Sequence, residues 1–236
     1  MDKKQILGMI IFILLICLVI YVLYMAIKNY QATAQGEPWL VKTTKVARTP
    51  KIIPGYMLPF SNDGRYGIEF SYSYWMYVTD WTYKQNEFKH VFHKGNNSAD
   101  PLIQAPGVFL YPNENRMAIY MNTFNSIKET CDVDDLPIGK WFHVVIVLIE
   151  KHLDVYINGR LKKRCDLMGV PKQNYGDLYI NLNNGFDGFL SKFRYYNYAL
   201  PFWKVEQAFN DGPSDQPCEG VGLPAPPYLA DDYWTQ

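Results

Sequence analysis

An uncharged run near the start of the chain limits most strongly what this sequence can form. The run begins at Ile6 and ends at Ile27, and it contains no charged residue and no proline. As a helix it would extend about 33 Å, which matches the hydrocarbon core of a bilayer, about 30 Å thick. A helix also satisfies its own backbone hydrogen bonds, as lipid requires. The sequence predicts a transmembrane anchor over residues 1–30, with a single membrane span at residues 6–27.

A cleaved secretory signal is the alternative interpretation of this run. Lys3 and Lys4 precede it, and Ala32 and Ala34 follow it in a small-x-small pattern typical of a cleavage site. The run is longer than the about 7–15 apolar residues of a signal peptide, and Lys28 stands where such a peptide is uncharged. These features favour an uncleaved anchor. Lysines on both flanks leave its orientation open.

Residues 31–60 follow as a basic segment that contains several prolines. Prolines at this density favour an extended backbone, so we expect a solvated stem. The alternative is a segment that lies on anionic lipid, to which each basic residue adds about 1 kcal/mol. Apolar residues such as Trp39 and Ile52 indicate that parts of the stem dock onto another surface.

From Tyr66 onward the pattern becomes that of β-strands. Short alternating or apolar runs, separated by turn residues, predict strands at residues 70–78, 90–93, 107–111, 117–121, 141–149, 153–157, 177–182 and 188–196. Asn158 and Gly159 form a dipeptide typical of a hairpin turn. A helix is expected at residues 200–210. This pattern predicts an all-β fold, an antiparallel two-sheet sandwich over residues 61–212.

The last segment, residues 213–236, is rich in proline and also retains aromatic residues, among them Tyr228 and Trp234. A disordered tail seldom keeps such residues, so we expect an arm that docks on a neighbouring protein or on its own domain. Across the whole chain, 23 Lys and Arg balance 23 Asp and Glu. This balance gives no electrostatic basis for nucleic-acid binding.

Three segments resemble, in order and spacing, the motifs of concanavalin A-like, laminin G-type domains. They are FSYSYW at residues 70–75, PIGKWFHVVIV with LDVYING within residues 137–159, and GFDGFLSKFRYYNYAL at residues 185–200. The chain looks closest to membrane-anchored versions encoded by large nucleocytoplasmic DNA viruses, which carry a cysteine on each side of the Trp141 hairpin. The resemblance implies a jelly-roll sandwich.

The resemblance also implies roles for individual residues. Trp75 and Trp141 are core residues in this family, and His143 is expected to be a partly buried, hydrogen-bonded histidine. Cys131 and Cys165 bracket the hairpin, whose antiparallel strands would return Cys165 toward the strand that carries Cys131. We therefore expect a disulfide, with two free buried thiols as the alternative. Cys218 would then be unpaired or would pair between chains.

Some relatives are glycoside hydrolases, which need two carboxylates at a fixed spacing on a strand. Their E-x-D-x-(x)-E motif does not occur in this sequence. A dense acidic group is interpreted instead as a solvated turn; it comprises Glu129, Asp132, Asp134 and Asp135. No catalytic residue is predicted, and we expect a protein without enzymatic activity.

Members of the family often bind sugars or calcium through loops at the rim of a sheet. The candidate ligand-binding residues here are Trp81, Tyr83, Asn183, Asn184 and Asp187. Aromatic faces stack on sugar rings, and the oxygens of Asn and Asp suit calcium, the one cofactor considered. The alternative is that the asparagines simply form turns. Asn96, in Asn-Asn-Ser, is a glycosylation candidate.

Two functions from different classes fit these features. The first is a single-pass structural protein that tethers a protein shell to a membrane, as a minor capsid protein of a virion would; its partners would be the bilayer and neighbouring capsid proteins. The second is a membrane-tethered, lectin-like module that binds a glycan or a receptor.

Overall fold

A computed structural model describes residues 3–64, 67–97 and 102–216 of the chain. The chain divides into two compact units, residues 1–37 and residues 38–236. Residues 217–236, and with them Cys218 and nearly all of the predicted arm, lie outside the described residues. The second unit begins before residue 61, the predicted start of the sandwich, so part of the predicted stem belongs to the same unit.

The first unit contains one helix, α1 (Lys3–Gly36). Among the described residues, no helix has the length and apolarity needed to cross a membrane. The predicted span at residues 6–27 is therefore not confirmed.

The second unit is an all-β sandwich of two antiparallel sheets, as predicted. The strands of the first sheet are β1 (Trp39–Val46), β3 (Asn62–Gly64), β4 (Gly67–Asp80), β9 (Trp141–Ile149), β10 (His152–Ile157), β11 (Arg160–Asp166) and β13 (Asp187–Tyr196). They have the order β1-β13-β4-β9-β10-β11, with β3 paired to β4.

The strands of the second sheet are β2 (Lys51–Ile53), β5 (Lys89–Gly95), β6 (Gln104–Leu110), β7 (Arg116–Met121), β8 (Glu129–Asp134) and β12 (Asp177–Ile180). They have the order β2-β12-β5-β6-β7-β8.

Two segments predicted to be a spacer and a turn are strands. Within the stem, β1 pairs with β13 and β2 pairs with β12, and Leu40 and Val41 are buried in the core. The acidic group that we interpreted as a turn is β8, apart from Asp135, which follows it. Cross-strand contacts engage its acidic side chains; Tyr111, for example, donates to both oxygens of Asp132 at 3.2 Å.

The main core lies between the two sheets. Along β4, the side chains from Phe70 to Val78 alternate, and every second one enters this core; these are Phe70, Tyr72, Tyr74, Met76 and Val78. On β9, Phe142, Val144, Ile146 and Leu148 do the same. Each large apolar side chain buried in this way contributes about 1.5–3 kcal/mol.

A smaller apolar layer covers the other face of the first sheet. Helix α2 (Phe202–Asn210) lies there and buries Val205 against Val145 and Val147. Trp75 and Trp141 also lie on this outer face, with the ring of Phe209 stacked on Trp75 at 5.7 Å. Both tryptophans are buried as expected, but they pack outside the main core because they alternate with the inward residues of β4 and β9.

The predicted disulfide is present. It joins Cys131 on β8 to Cys165 on β11, with the Cα atoms 5.9 Å apart. These two strands are the last strands of their respective sheets, so the bridge connects the two sheets along one side of the sandwich.

Replacing both cysteines with serine should lower the free energy of unfolding by about 4 kcal/mol, because the bridge closes a loop of 34 residues that is otherwise free in the unfolded chain. Urea unfolding measures this difference. Wild-type protein in reducing buffer should match the double variant. If reduction left the wild-type midpoint unchanged, the bridge would carry no such stabilisation.

Candidate functional site

A groove of about 480 Å³ lies on the outer face of the second sheet. Its floor is formed by His90 and His93 on β5 and by Phe109 on β6. Residues from three loops complete the lining; these are Lys84, Glu87, Phe88, Asn97, Leu102, Leu182 and Asn183.

An irregularity in β5 places both histidines on the same face. The register with β6 shifts between His90 and Phe92. In a regular strand, residues three apart point to opposite faces. Here Val91 and Phe92 both enter the core, so that His90 and His93 both face the groove. A bulge re-aims side chains in this way.

The two histidines form a hydrogen-bonded chain with an assignable direction. The backbone N–H of Leu182 donates to His90 Nδ1 at 3.0 Å, so His90 carries its proton on Nε2. This Nε2–H donates to His93 Nδ1 at 2.7 Å. His93 in turn donates from Nε2 to the carbonyl oxygen of Asn96 at 2.9 Å. The network assigns one proton to each ring, so both are neutral.

Burial favours the same neutral state. It lowers the pKa of His90 to about 3, with a smaller effect from the neighbouring His93. Burial also lowers the pKa of His93. His93 stacks on Tyr179 with ring centres 4.8 Å apart, and His90 meets Phe109 edge to face at 5.1 Å. The floor is therefore an uncharged, largely aromatic surface.

The rim of the groove, formed by Lys84, Glu87 and Asn183, is polar. Lys84 Nζ donates to the backbone oxygen of Asn183 at 2.7 Å and lies 3.2 Å from Glu87 Oε2. The contact with Asn183 connects the β4–β5 loop to the β12–β13 loop, whereas the pair with Glu87 lies within the β4–β5 loop. Phe88, which is 46% exposed, stands beside the rim.

The structure brings together most of the predicted ligand-binding residues at this end of the sandwich, although only Asn183 lines the groove. The Tyr83 hydroxyl donates to the backbone oxygen of Asn184 at 3.3 Å. The Trp81 side chain is partly buried and packs against the main core, and its role in ligand binding stays a prediction.

The side chain of Asp187 and the backbone oxygens of the two asparagines make contacts within the protein. Arg48 lies 2.7 Å from Asp187 Oδ1, and its guanidinium lies 4.3 Å from the ring of Tyr83. Asn183 and Asn184 both have positive φ angles, 51° and 59°, which suit the turn interpretation. Among the described residues there is no cluster of three or more acidic, histidine or cysteine side chains that could hold a metal.

His143 and Asn96 lie at opposite sides of the sandwich. His143 is fully buried on the outer face of the first sheet, where its Nε2 lies 2.8 Å from Ser73 Oγ. Asn96 lies beside the groove and accepts a hydrogen bond from the N–H of Ile103 at 2.8 Å. Ser98, which completes the glycosylation motif, is outside the described residues, and glycosylation of Asn96 stays a prediction.

Sequence reasoning missed the floor of the groove and Phe88. Regular alternation along β5 would place His90 and His93 on opposite faces of the sheet. Within residues 89–95, the one sequence feature that indicates the bulge is the adjacent apolar pair, Val91 and Phe92. That pair, between two histidines, is the one signal that could have indicated a shared polar face.

Comparison with known proteins identifies the class of the domain. The family model of the concanavalin A-like lectin and glucanase superfamily matches residues 57–202, and the chain belongs to this superfamily. A search of curated proteins found no match.

Solved structures with the same fold include binding domains of botulinum neurotoxins. The serotype D binding domain gives a TM-score of 0.55 at 14% identity, over 75% of this chain and 46% of that chain. The serotype G binding domain gives a TM-score of 0.51 at 16% identity, over 76% of this chain and 47% of that chain. The binding domain of neurotoxin DC, solved in complex with rat synaptotagmin II, gives a TM-score of 0.50 at 15% identity, over 62% of this chain and 36% of that chain. This chain spans less than half the length of these relatives, and such identities show a shared fold alone.

Acid should destabilise the domain through its buried histidines. The pKa of His143, like that of His90, is lowered by burial to about 3 in the folded state, against about 6.5 when unfolded. Below pH 6.5 the unfolded chain takes up protons that the folded chain does not, so stability falls as the pH falls toward 3. Between pH 7.5 and pH 5, each of these two histidines should lower the free energy of unfolding by about 2 kcal/mol.

Urea unfolding at these two pH values, on wild type and on His143→Gln, measures this effect. Between the two pH values, the free energy of unfolding should fall by about 2 kcal/mol less in the variant than in wild type. Gln207→Ala, which alters an exposed residue without a titratable group, serves as the control and should follow wild type. Equal losses in all three proteins would contradict the assignment.

Proposed function

We propose that the sandwich is a carbohydrate-binding module and that its ligand occupies the groove on the outer face of the second sheet. The observation that carries this proposal is the combination of an aromatic floor with a polar rim, described above. Sugars present apolar C–H faces and hydroxyl edges together, and a groove of this composition can contact both.

The dimensions of the groove support a small oligosaccharide. Its volume of about 480 Å³ falls within the about 300–1,000 Å³ usual for small-molecule sites. The rings of Phe109 and Phe88 offer faces or edges for C–H contacts. The amides of Asn97 and Asn183 can donate to and accept from hydroxyl groups.

The composition of the groove favours binding over cleavage. Glu87 is the one carboxylate among the described residues that line it. Glycoside hydrolysis with retention requires two carboxyl groups about 5–5.5 Å apart. The absence of enzymatic activity was predicted from the sequence, and it stays a prediction.

The location and the assembly partners of the module are predicted from the sequence alone. Four statements stay predictions: attachment to a bilayer, a place in a virion, contacts with capsid proteins and kinship with viral versions of the domain. Nothing in the groove depends on them. A tethered lectin and a capsid component could use the same binding surface.

Phe88→Ala should weaken saccharide binding about two- to tenfold, because it removes an aromatic contact worth about 0.5–1.5 kcal/mol at the rim. A glycan array first identifies a ligand for the wild-type chain, and titration calorimetry then compares the affinities of the variants. Since Phe88 is 46% exposed, its loss should leave the fold intact.

Tyr56→Ala is the matched control. Tyr56 is 89% exposed and does not line the groove, so this variant should bind as wild type does. Equal weakening by both substitutions, or an array without a ligand, would contradict the proposed function.

A further inference from the structure

We infer that the groove selects uncharged saccharides, because the cation and the anion at its rim, Lys84 and Glu87, neutralise each other. This inference deepens the proposed function and rests on it. It concerns the chemical class of the ligand, and it assigns Glu87 as the residue that determines this class.

The geometry holds Lys84 in a fixed position. Its Nζ donates to the carbonyl oxygen of Asn183 at 2.7 Å and lies 3.2 Å from Glu87 Oε2. The Lys84 side chain is 20% exposed, whereas that of Glu87 is 67% exposed. An incoming ligand therefore meets the carboxylate more readily than the ammonium group.

The floor supplies no compensating positive charge. His90 and His93 each hold a single ring proton, and both protons are already donated within the chain of hydrogen bonds. Burial keeps both rings neutral by lowering their pKa values. A carboxylated or sulfated sugar would find no cation on the floor with which to pair.

Another charged pair at this end of the sandwich is also balanced. Arg48 lies 2.7 Å from Asp187, so its positive charge is matched. The ammonium group of Lys89, which is buried, donates to the backbone oxygens of Tyr111 and Pro112 at 3.3 and 2.8 Å. Neither cation is directed into the groove as a free charge.

A neutral sugar can form hydrogen bonds with both members of the same pair. A carboxylate accepts hydrogen bonds from hydroxyl groups, and an ammonium group donates to them, so the rim can bind a hydroxyl group as donor or as acceptor. An acidic sugar must instead approach the exposed carboxylate of Glu87, and like charges repel at short range.

The test compares neutral and acidic oligosaccharides of matched length, such as neutral hexose oligomers and their uronate-containing counterparts, on the full-length chain. Wild type should bind the neutral set at least tenfold more tightly. Glu87→Gln removes the anion and leaves Lys84 unbalanced. This variant should gain about fivefold in affinity for the acidic set, the effect of one unit charge near 4 Å in water. It should gain no affinity for the neutral set, which loses a hydrogen-bond-accepting carboxylate.

Glu206→Gln is the charge-matched control, since Glu206 is exposed on α2 and does not line the groove. It should leave both affinities unchanged. Wild type that prefers acidic sugars, or Glu87→Gln that gains no acidic affinity, would overturn this inference while leaving the proposed function intact. Binding to neither set would overturn the proposed function itself.

Discussion

The pairing of β4 with β9 determines which side chains reach the core of the sandwich and which face outward. It runs without a register shift from Glu69 opposite Ile149 to Tyr77 opposite Trp141. Because successive side chains of a strand alternate, this one register sends Tyr72 and Tyr74 into the main core and turns Trp75 toward α2. A slip of one residue would exchange the two sets and expose both apolar layers. Regularity is therefore required at the centre of the first sheet, where both faces of the sheet are buried.

Register shifts occur in both sheets, among them the shifts between β13 and β4 and the bulge on β5, in the second sheet, whose outer face carries the groove. On β5 the bulge sends Val91 and Phe92 into the core together, and their burial offsets the pairing lost locally. The same local change brings His90 and His93 side by side. The regular β4–β9 pair thus provides an alternating frame, whereas the bulge on β5 creates a polar, neutral surface in an aromatic setting. Bulges near functional sites are frequent for this reason.

The sequence predicted those parts of the fold in which local pattern and tertiary environment agree. Alternation revealed β4, and the Asn158-Gly159 dipeptide indicated the β10–β11 turn, where Asn158 has a positive φ of 49°. It did not reveal β1, because nearby prolines suggested an extended spacer, although an extended segment can equally pair with the edge of a sheet. Trp81 was predicted to be exposed because it follows a strand, but the path of the β4–β5 loop leaves its side chain partly buried against the main core. The groove was beyond prediction, since it depends on a bulge and on the meeting of distant loops.

The chain of hydrogen bonds under the groove connects its floor to its rim. The N–H of Leu182 fixes the tautomer of His90, and the next residue, Asn183, accepts from Lys84 at the rim. A displacement of the β12–β13 loop would remove both contacts at once, leaving a buried imidazole nitrogen unpaired and Lys84 with Glu87 as its remaining partner. An unpaired buried polar group costs about 1–3 kcal/mol. This cost holds the β12–β13 loop in place beside the floor of the groove. If the groove binds saccharides as proposed, its selectivity comes from hydroxyl geometry and from the balance of charge at the rim, and much less from any net attraction.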